Sequence, residues 1–129
     1  MRVGIDSFTI HCLGLDPFQT LDYVKKNDLE GVQFGGIRGL SNNLDLGKLK
    51  EIRAYADELG LYSHVSISTC NPYLVNYSLD DHLEILKKEI EVSAECGWHE
   101  LHSSLGSGNE RYEHPVPWTQ HLADSGKFI

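Results

Sequence analysis

Strand-like and helix-like stretches alternate along this chain without a break, and that alternation confines it to architectures built from βα units. Val3, Ile5 and Phe8 read as a first buried strand, interrupted by Asp6 and Ser7. Asp16-Pro17 places an N-cap acid before proline at the first helical position, opening a helix with Leu21 and Val24 on one face that runs to about Asn27. Gly31-Val32-Gln33-Phe34 reads as a second strand ending in Gly35-Gly36. From Asp45 to Leu59 the spacing of Leu46, Leu49, Ile52, Ala56 and Leu59 predicts an amphipathic helix stopped by Gly60. Leu61 to Ile67 follows as a third strand. Ser78 ahead of Asp81 resembles a capping box and opens a third helix, its core face assigned to Leu79, Leu83, Leu86, Ile90 and Ala94 and its end to Gly97. Trp98 to Ser104 reads as a fourth strand, and Pro115, Pro117 and Trp118 introduce a fourth helix.

The order βαβαβαβ(α) implies an α/β fold of parallel strands joined by right-handed helical crossovers. Two architectures satisfy it. One is an open four-stranded sheet with helices on both faces. The other is a partial barrel, the first four units of a (β/α)8 TIM barrel, whose closure takes about 250 residues. A helix pattern that meets the last residue with neither C-cap nor polar tail favours the second. Residues 1–129 are therefore expected to form a single partial TIM-barrel domain, truncated within the fourth helix.

Composition narrows the function classes. With 40% hydrophobic and 23% charged residues, the chain is no disordered tail, fibre or disulfide miniprotein. A net charge of -8 repels phosphate backbones, so nucleic acid is an unfavoured partner. Cys12, Cys70 and Cys96 form no CxxC pair and leave an odd number, which fits reduced thiols. With no long apolar run and no signal-peptide core, a soluble, cytoplasmic protein is expected.

Strand parity locates a candidate site. In the four strands Val3 and Ile5, Val32 and Phe34, Leu61, Val65 and Ile67, and Leu101 share the apolar parity. The opposite parity collects Asp6, Gln33, His64, Glu100 and His102 on one surface. Strands buried on both faces in a parallel sheet read as continuous apolar runs, so this pattern implies a wet or functional face. Each of these residues taken singly is as well explained by a structural network of mutually satisfied groups. Together, near the C-terminal ends of parallel strands, they point to a ligand site. His64 and His102 are candidate metal ligands, with Glu100 and Asp6 the only carboxylates of the same parity to complete a set. Gly35-Gly36-Ile37-Arg38-Gly39 and Gly106-Ser107-Gly108-Asn109 follow strand ends, where backbone N–H groups can cradle phosphate or sugar hydroxyls and Arg38 offers a bidentate clamp; simple turn formation is the favoured reading of both. His11, just past the first strand, reads as a solvated loop histidine, with a place at the rim as the alternative; Cys96 reads as core packing, and His82, His99, His114 and His121 as surface or cap residues.

The segments "RVGIDSFTI", "TLDYVKKNDLEGVQFGG", "LGKLKEIRAYADELGLYSHVSIS" and "SAECGWHELHSSLGSG" resemble, in order and spacing, the first four βα units of the sugar phosphate isomerase/epimerase family, the xylose isomerase-like TIM barrels. The resemblance implies a parent enzyme that interconverts aldose and ketose sugars, or epimerises ketoses, with a divalent metal ion (Mn, Mg, Co or Zn) in its mouth. It places the usual metal ligands (Glu, Asp, His and Glu) on the fifth to eighth strands, so the 129-residue chain alone is expected to be inactive and not to hold the metal stably. Asp6, Gln33, His64 and His102 fall where substrate is lined, and His64 and His102 also match auxiliary metal positions of the related apurinic-endonuclease branch. Gln33 stands where the isomerases frequently carry Glu; an amide binds a hydroxyl but is no base. The expected partners are a sugar or sugar phosphate and, for the strand edges, a second copy or the missing half. A stand-alone small-molecule binding module without catalysis is the alternative, and a metal nuclease a weaker one.

Overall fold

The computed structural model describes residues 2–106 and 113–128. The described residues form a four-stranded, all-parallel sheet in the order β1-β2-β3-β4: β1 Gly4–Asp6, β2 Gly31–Gly36, β3 Tyr62–Ser66 and β4 Leu101–His102. Helix α1 (Pro17–Lys26) crosses from β1 to β2, α2 (Ile37–Leu40) and α3 (Leu46–Glu58) from β2 to β3, α4 (Leu79–Glu95) from β3 to β4, and α5 (Trp118–Ser125) follows β4.

Local chemistry explains where the helices begin and end. Asp16 caps α1 through a full capping box: its carboxylate accepts from the Gln19 N–H at 2.8 Å and the Gln19 amide accepts from the Asp16 N–H at 3.0 Å, with Pro17 next in line. Asp45 accepts from the Lys48 N–H to start α3, and Ser78 accepts from the Asp81 N–H to start α4. The Ser78 hydroxyl in turn donates to the Asp81 carboxylate, so the pair is a one-way cap. Gly60 and Gly97 lie just beyond α3 and α4 at φ of 69° and 90°, a left-handed conformation that a side chain disfavours.

Sequential strand order constrains how the helices are arranged about the sheet. Crossovers of one hand that always step to the next strand in the same direction put every helix on one side of the sheet. The core agrees. Leu21 and Val24 of α1, Leu49, Ile52 and Ala56 of α3, and Val92 of α4 pack with Val32, Phe34 and Val65 of the sheet's apolar parity in a single cluster. Helices α1, α3 and α4 thus pack against one face of the sheet. The opposite face carries Asp6, Gln33, His64 and His102.

The face assigned to α4 is corrected by the structure. Leu79 is 58% and Ile90 44% exposed and Ala94 is exposed too, whereas His82, Leu86, Glu89, Val92 and Ser93 are buried. The helix is rotated so that a polar stripe faces inward, because its partners lie on the segment after β3. His82 Nε2 meets the Thr69 carbonyl at 2.7 Å, and Glu89 accepts from the Ser68 N–H at 2.7 Å and the Ser68 hydroxyl at 3.0 Å. His82 and His121, expected at the surface, are fully buried. The fourth strand is also shorter than expected, two residues in place of Trp98–Ser104. Trp98 instead drops into the core and donates its indole N–H to the Ser63 hydroxyl at 3.0 Å.

Candidate functional site on the polar face of the sheet

Register brings the expected residues into rows. Asp6, Gln33 and His64 are cross-strand partners on β1, β2 and β3, and His102 of β4 pairs with Ser66, one step further along that parity of β3. Gln33 reaches diagonally across to His102, amide nitrogen to ring Nδ1 at 3.3 Å. His64 Nε2 lies 2.9 Å from a Glu100 carboxylate oxygen. A carboxylate only accepts, so the neutral ring carries its proton on Nε2 and keeps its lone pair on Nδ1. Asp6 stands at the end of β1, where one carboxylate oxygen accepts from the Phe8 N–H at 2.8 Å and caps a 3₁₀ turn over Ser7–Leu13. Part of its role is therefore structural.

Below this row the face is built by omission. A Cβ at Gly31 would lie 2.5 Å from the Tyr62 ring and a Cβ at Gly4 2.1 Å from the Tyr62 hydroxyl. Two glycines in register thus make the trough in which the Tyr62 side chain crosses the sheet. Arg2 sits over that ring, 5.9 Å from its centre, and the His64 ring tilts against it with centroids 5.3 Å apart.

Two hollows adjoin the face. The larger, about 690 Å³, opens because β4 pairs with β3 only at Val65 and Ser66, leaving Trp98, His99 and Glu100 standing off from Leu61–His64. Arg2, Arg53 and Asp57 complete its walls. A smaller one of about 280 Å³ lies at the C-terminal ends of β1 and β2, against Ser7, His11, Phe34 and Gly35. Ligands of parallel sheets bind at the C-terminal ends of the strands. The larger hollow starts at the opposite end, and only its upper part, at His64 and Glu100, touches the row.

The glycine loop after β2 is not arranged as a phosphate clamp. The Gly35 N–H donates to the Ser7 hydroxyl at 3.1 Å, and Arg38 turns back to Glu89, Nε to carboxylate at 2.5 Å, and to the Asn42 carbonyl. Of the second loop, Gly106 is described, while Ser107, Gly108 and Asn109 lie outside the described residues. His11 holds the rim, its Nδ1 2.6 Å from the Phe8 carbonyl and its ring stacked on Phe8. Cys96 is buried as expected, its thiol pushed up by desolvation, and the three cysteines are unpaired.

A second polar cluster had no signal in the sequence. Asn71, fully buried, donates to the Leu105 carbonyl at 2.7 Å, accepts from the Tyr73 N–H at 3.0 Å and reaches His121 Nδ1 at 2.9 Å; His121 Nε2 in turn meets His114 Nδ1 at 3.0 Å. These contacts join residues far apart in sequence, and no local pattern encodes them. They fasten α5 to the segment after β3.

Among the described residues, no three His, Cys, Asp or Glu side chains converge on a point that would hold a metal ion. His64 and His102 are engaged instead with Glu100 and Gln33. Among the described residues, the donor set does not by itself fit a divalent metal. No helix among the described residues is long and apolar enough to cross a membrane. No family model matches the chain, and no curated protein matches it.

Proposed function

We propose that this chain is the first half of a (β/α)8 barrel of the sugar isomerase/epimerase type and supplies the substrate-facing wall of its mouth. The observation that carries the reading is the single polar face. Asp6, Gln33 and His64 in register, with His102 bonded to Gln33, stand on the side of the sheet away from α1, α3 and α4. In a closed barrel that side is the interior, and residues at the C-terminal strand ends line the site.

Each group has a role that suits a polyol. Gln33 offers one donor and one acceptor to adjacent hydroxyls, and His102 extends that pair. Glu100 holds His64 with its proton on Nε2, leaving Nδ1 to accept a substrate hydroxyl proton. Asp6 keeps one carboxylate oxygen on the Phe8 N–H and has a second for a hydroxyl. The divalent metal of such enzymes, which polarises the carbonyl and steadies the developing oxyanion, is assigned to ligands on the complementary half of the barrel.

The test is an aldose–ketose and ketose-epimer panel, assayed on the assembled eight-strand protein with Mn, Mg, Co or Zn. His64→Ala and His102→Ala should each lower kcat/KM at least tenfold, within the range for lost acid–base and hydroxyl contacts. Full activity in both variants sinks the site assignment. A sheet whose polar face binds a sugar without turnover would favour a binding module.

A further inference from the structure

We propose that Glu100 and Gln33 are positioning residues that set the two imidazoles of the row to opposite polarity, so that His64 offers a bare ring nitrogen and His102 a ring N–H to one ligand. This assignment deepens the substrate-wall reading, on which it rests: it fixes which kind of oxygen each ring takes.

The polarity follows from what each partner can do. The Glu100 carboxylate only accepts, and one of its oxygens lies 2.9 Å from His64 Nε2. The neutral His64 ring therefore carries its proton on Nε2 and keeps the Nδ1 lone pair free. Gln33 meets the other nitrogen of the other ring. Its side-chain amide nitrogen only donates, and it lies 3.3 Å from His102 Nδ1. That nitrogen accepts, and the proton of the neutral His102 ring sits on Nε2. Both rings are the same tautomer, but they are anchored through opposite nitrogens. An anchor at Nε2 leaves an acceptor; an anchor at Nδ1 leaves a donor.

Register puts the two free atoms on one surface. His102 pairs with Ser66, two residues beyond His64 on β3, so the rings stand on the same face, one strand across and two residues along. Gln33 is the β2 partner of His64 and reaches on to His102. His64 is half-buried and His102 exposed, so a ligand approaching either ring displaces only water. A matching ligand brings a hydroxyl proton to His64 and an oxygen lone pair to His102. A hydroxyl beside a carbonyl oxygen fits in one orientation only, because reversal sets lone pair against lone pair at His64. The pair thereby gives the polar row a direction.

The experiment is nitrogen-15 NMR of the imidazole rings in the full 129-residue chain, at about pH 8, above the ordinary histidine value of about 6.5. The two rings are assigned by the signals lost in His64→Ala and His102→Ala. Both should show a protonated Nε2 and a bare Nδ1. In Gln33→Glu a carboxylate accepts where the amide donated, so His102 Nδ1 should gain a proton. Amide spectra establish that each variant is folded, and the unsubstituted rings give a result whether or not one is. A proton on His102 Nδ1 in the unsubstituted chain overturns the proposal, because the Gln33 amide is then turned over and both rings are acceptors. So does a His64 ring holding two protons, or a folded Gln33→Glu variant that leaves His102 unchanged. The ligand probe is hydroxyacetone at about 50 mM, a level suited to the weak binding of so few atoms. It should shift His64 Nδ1 and His102 Nε2. Methoxyacetone, which lacks the hydroxyl proton, should need roughly three- to tenfold more, the range for one lost hydrogen bond. Equal response to the two compounds, or none to either, overturns the pair as a recognition device. Rings set as expected with no turnover across the sugar panel would instead sink the isomerase reading and leave their polarity standing.

Discussion

Gly31 shows how one missing side chain shapes the polar face. Its Cβ would lie 2.5 Å from the Tyr62 ring and equally close to the Tyr62 backbone carbonyl. The ring can swing away; the neighbouring strand cannot without breaking register. Gly31→Ala should therefore destabilise by about 1–3 kcal/mol, the usual cost of overpacking. Adding Tyr62→Ala should recover only part of that loss, because the carbonyl contact remains. Urea unfolding of the two variants measures this, and full recovery would show that the ring alone sets the limit. Gly4 is alike: beside the Tyr62 hydroxyl, its Cβ would lie 2.7 Å from the Gly31 backbone carbonyl, a contact that moving the side chain does not relieve. A second residue-scale case is Glu89, whose side chain is almost wholly buried while that of Arg38 stays 41% exposed. Arg38→Ala strands a buried carboxylate and should cost about 3 kcal/mol, the low end for a broken buried pair because water already screens the guanidinium. Glu89→Gln leaves Arg38 free to turn to water and should cost less, about 1–3 kcal/mol from the poorly matched Ser68 N–H. The reverse ranking in thermal or urea unfolding would mean that the pair contributes through Ser68 and not through charge.

At the scale of elements, α5 is held by polar groups more than by apolar ones, and this makes its docking sensitive to pH. Tyr73 donates to Asp124 at 2.6 Å and stacks on His121, while Gln120 and Lys127 also donate to Asp124. Lys127 first, then Tyr73 and Gln120, hold the Asp124 carboxyl well below the usual carboxylate range. A depressed carboxyl stabilises the docked state above its unfolded value near 3.9 and loses that contribution as pH falls toward the folded one. The Tyr73 hydroxyl is shifted up, chiefly by its bond to Asp124. Its contribution is complete below the ordinary tyrosine value near 10 and disappears as pH climbs through the raised one. Protease sensitivity within α5 should be lowest between about pH 5 and 9, given those reference values, and Tyr73→Phe should abolish the alkaline limb. An unchanged alkaline limb would locate the titration elsewhere. These long-range bonds also mark where sequence reading stops. The cores of α1 and α3 were legible because Leu21, Val24, Leu49, Ile52 and Ala56 repeat at helical spacing behind capping acids. The inward face of α4 was not, since of its leucines only Leu86 is buried and His82, Glu89 and Ser93 share that face with it: the turn of the helix follows what Thr69 and Ser68 need from His82 and Glu89. The short 3₁₀ turns and the two-residue β4 depend on tertiary partners in the same way.

For the molecule as a whole, the remaining question is what keeps a polar row on an otherwise apolar sheet. Period-two alternation made that row legible from sequence, but register and the Gln33–His102 and His64–Glu100 contacts are properties of the assembled strands. A row maintained as a structural network would contribute to stability; a row maintained for a ligand would not. The described surroundings favour the second. The His64 side chain is 39% and that of Glu100 79% exposed, and a contact so open to water is worth no more than an exposed ion pair, about 0–1 kcal/mol. His102 is exposed as well. His64→Ala and His102→Ala should thus change unfolding free energy by no more than about 0.5 kcal/mol, the range for surface substitutions. On the proposed barrel reading, the same two changes should cost at least tenfold in sugar turnover, a difference in free energy of about 1.4 kcal/mol or more. Stability and activity measured on the same two variants separate the accounts. A loss of more than about 1.5 kcal/mol in folding with turnover intact would make the row scaffolding, since surface positions rarely reach that value. Intact folding with lost turnover would show side chains placed on the sheet's free face for a ligand.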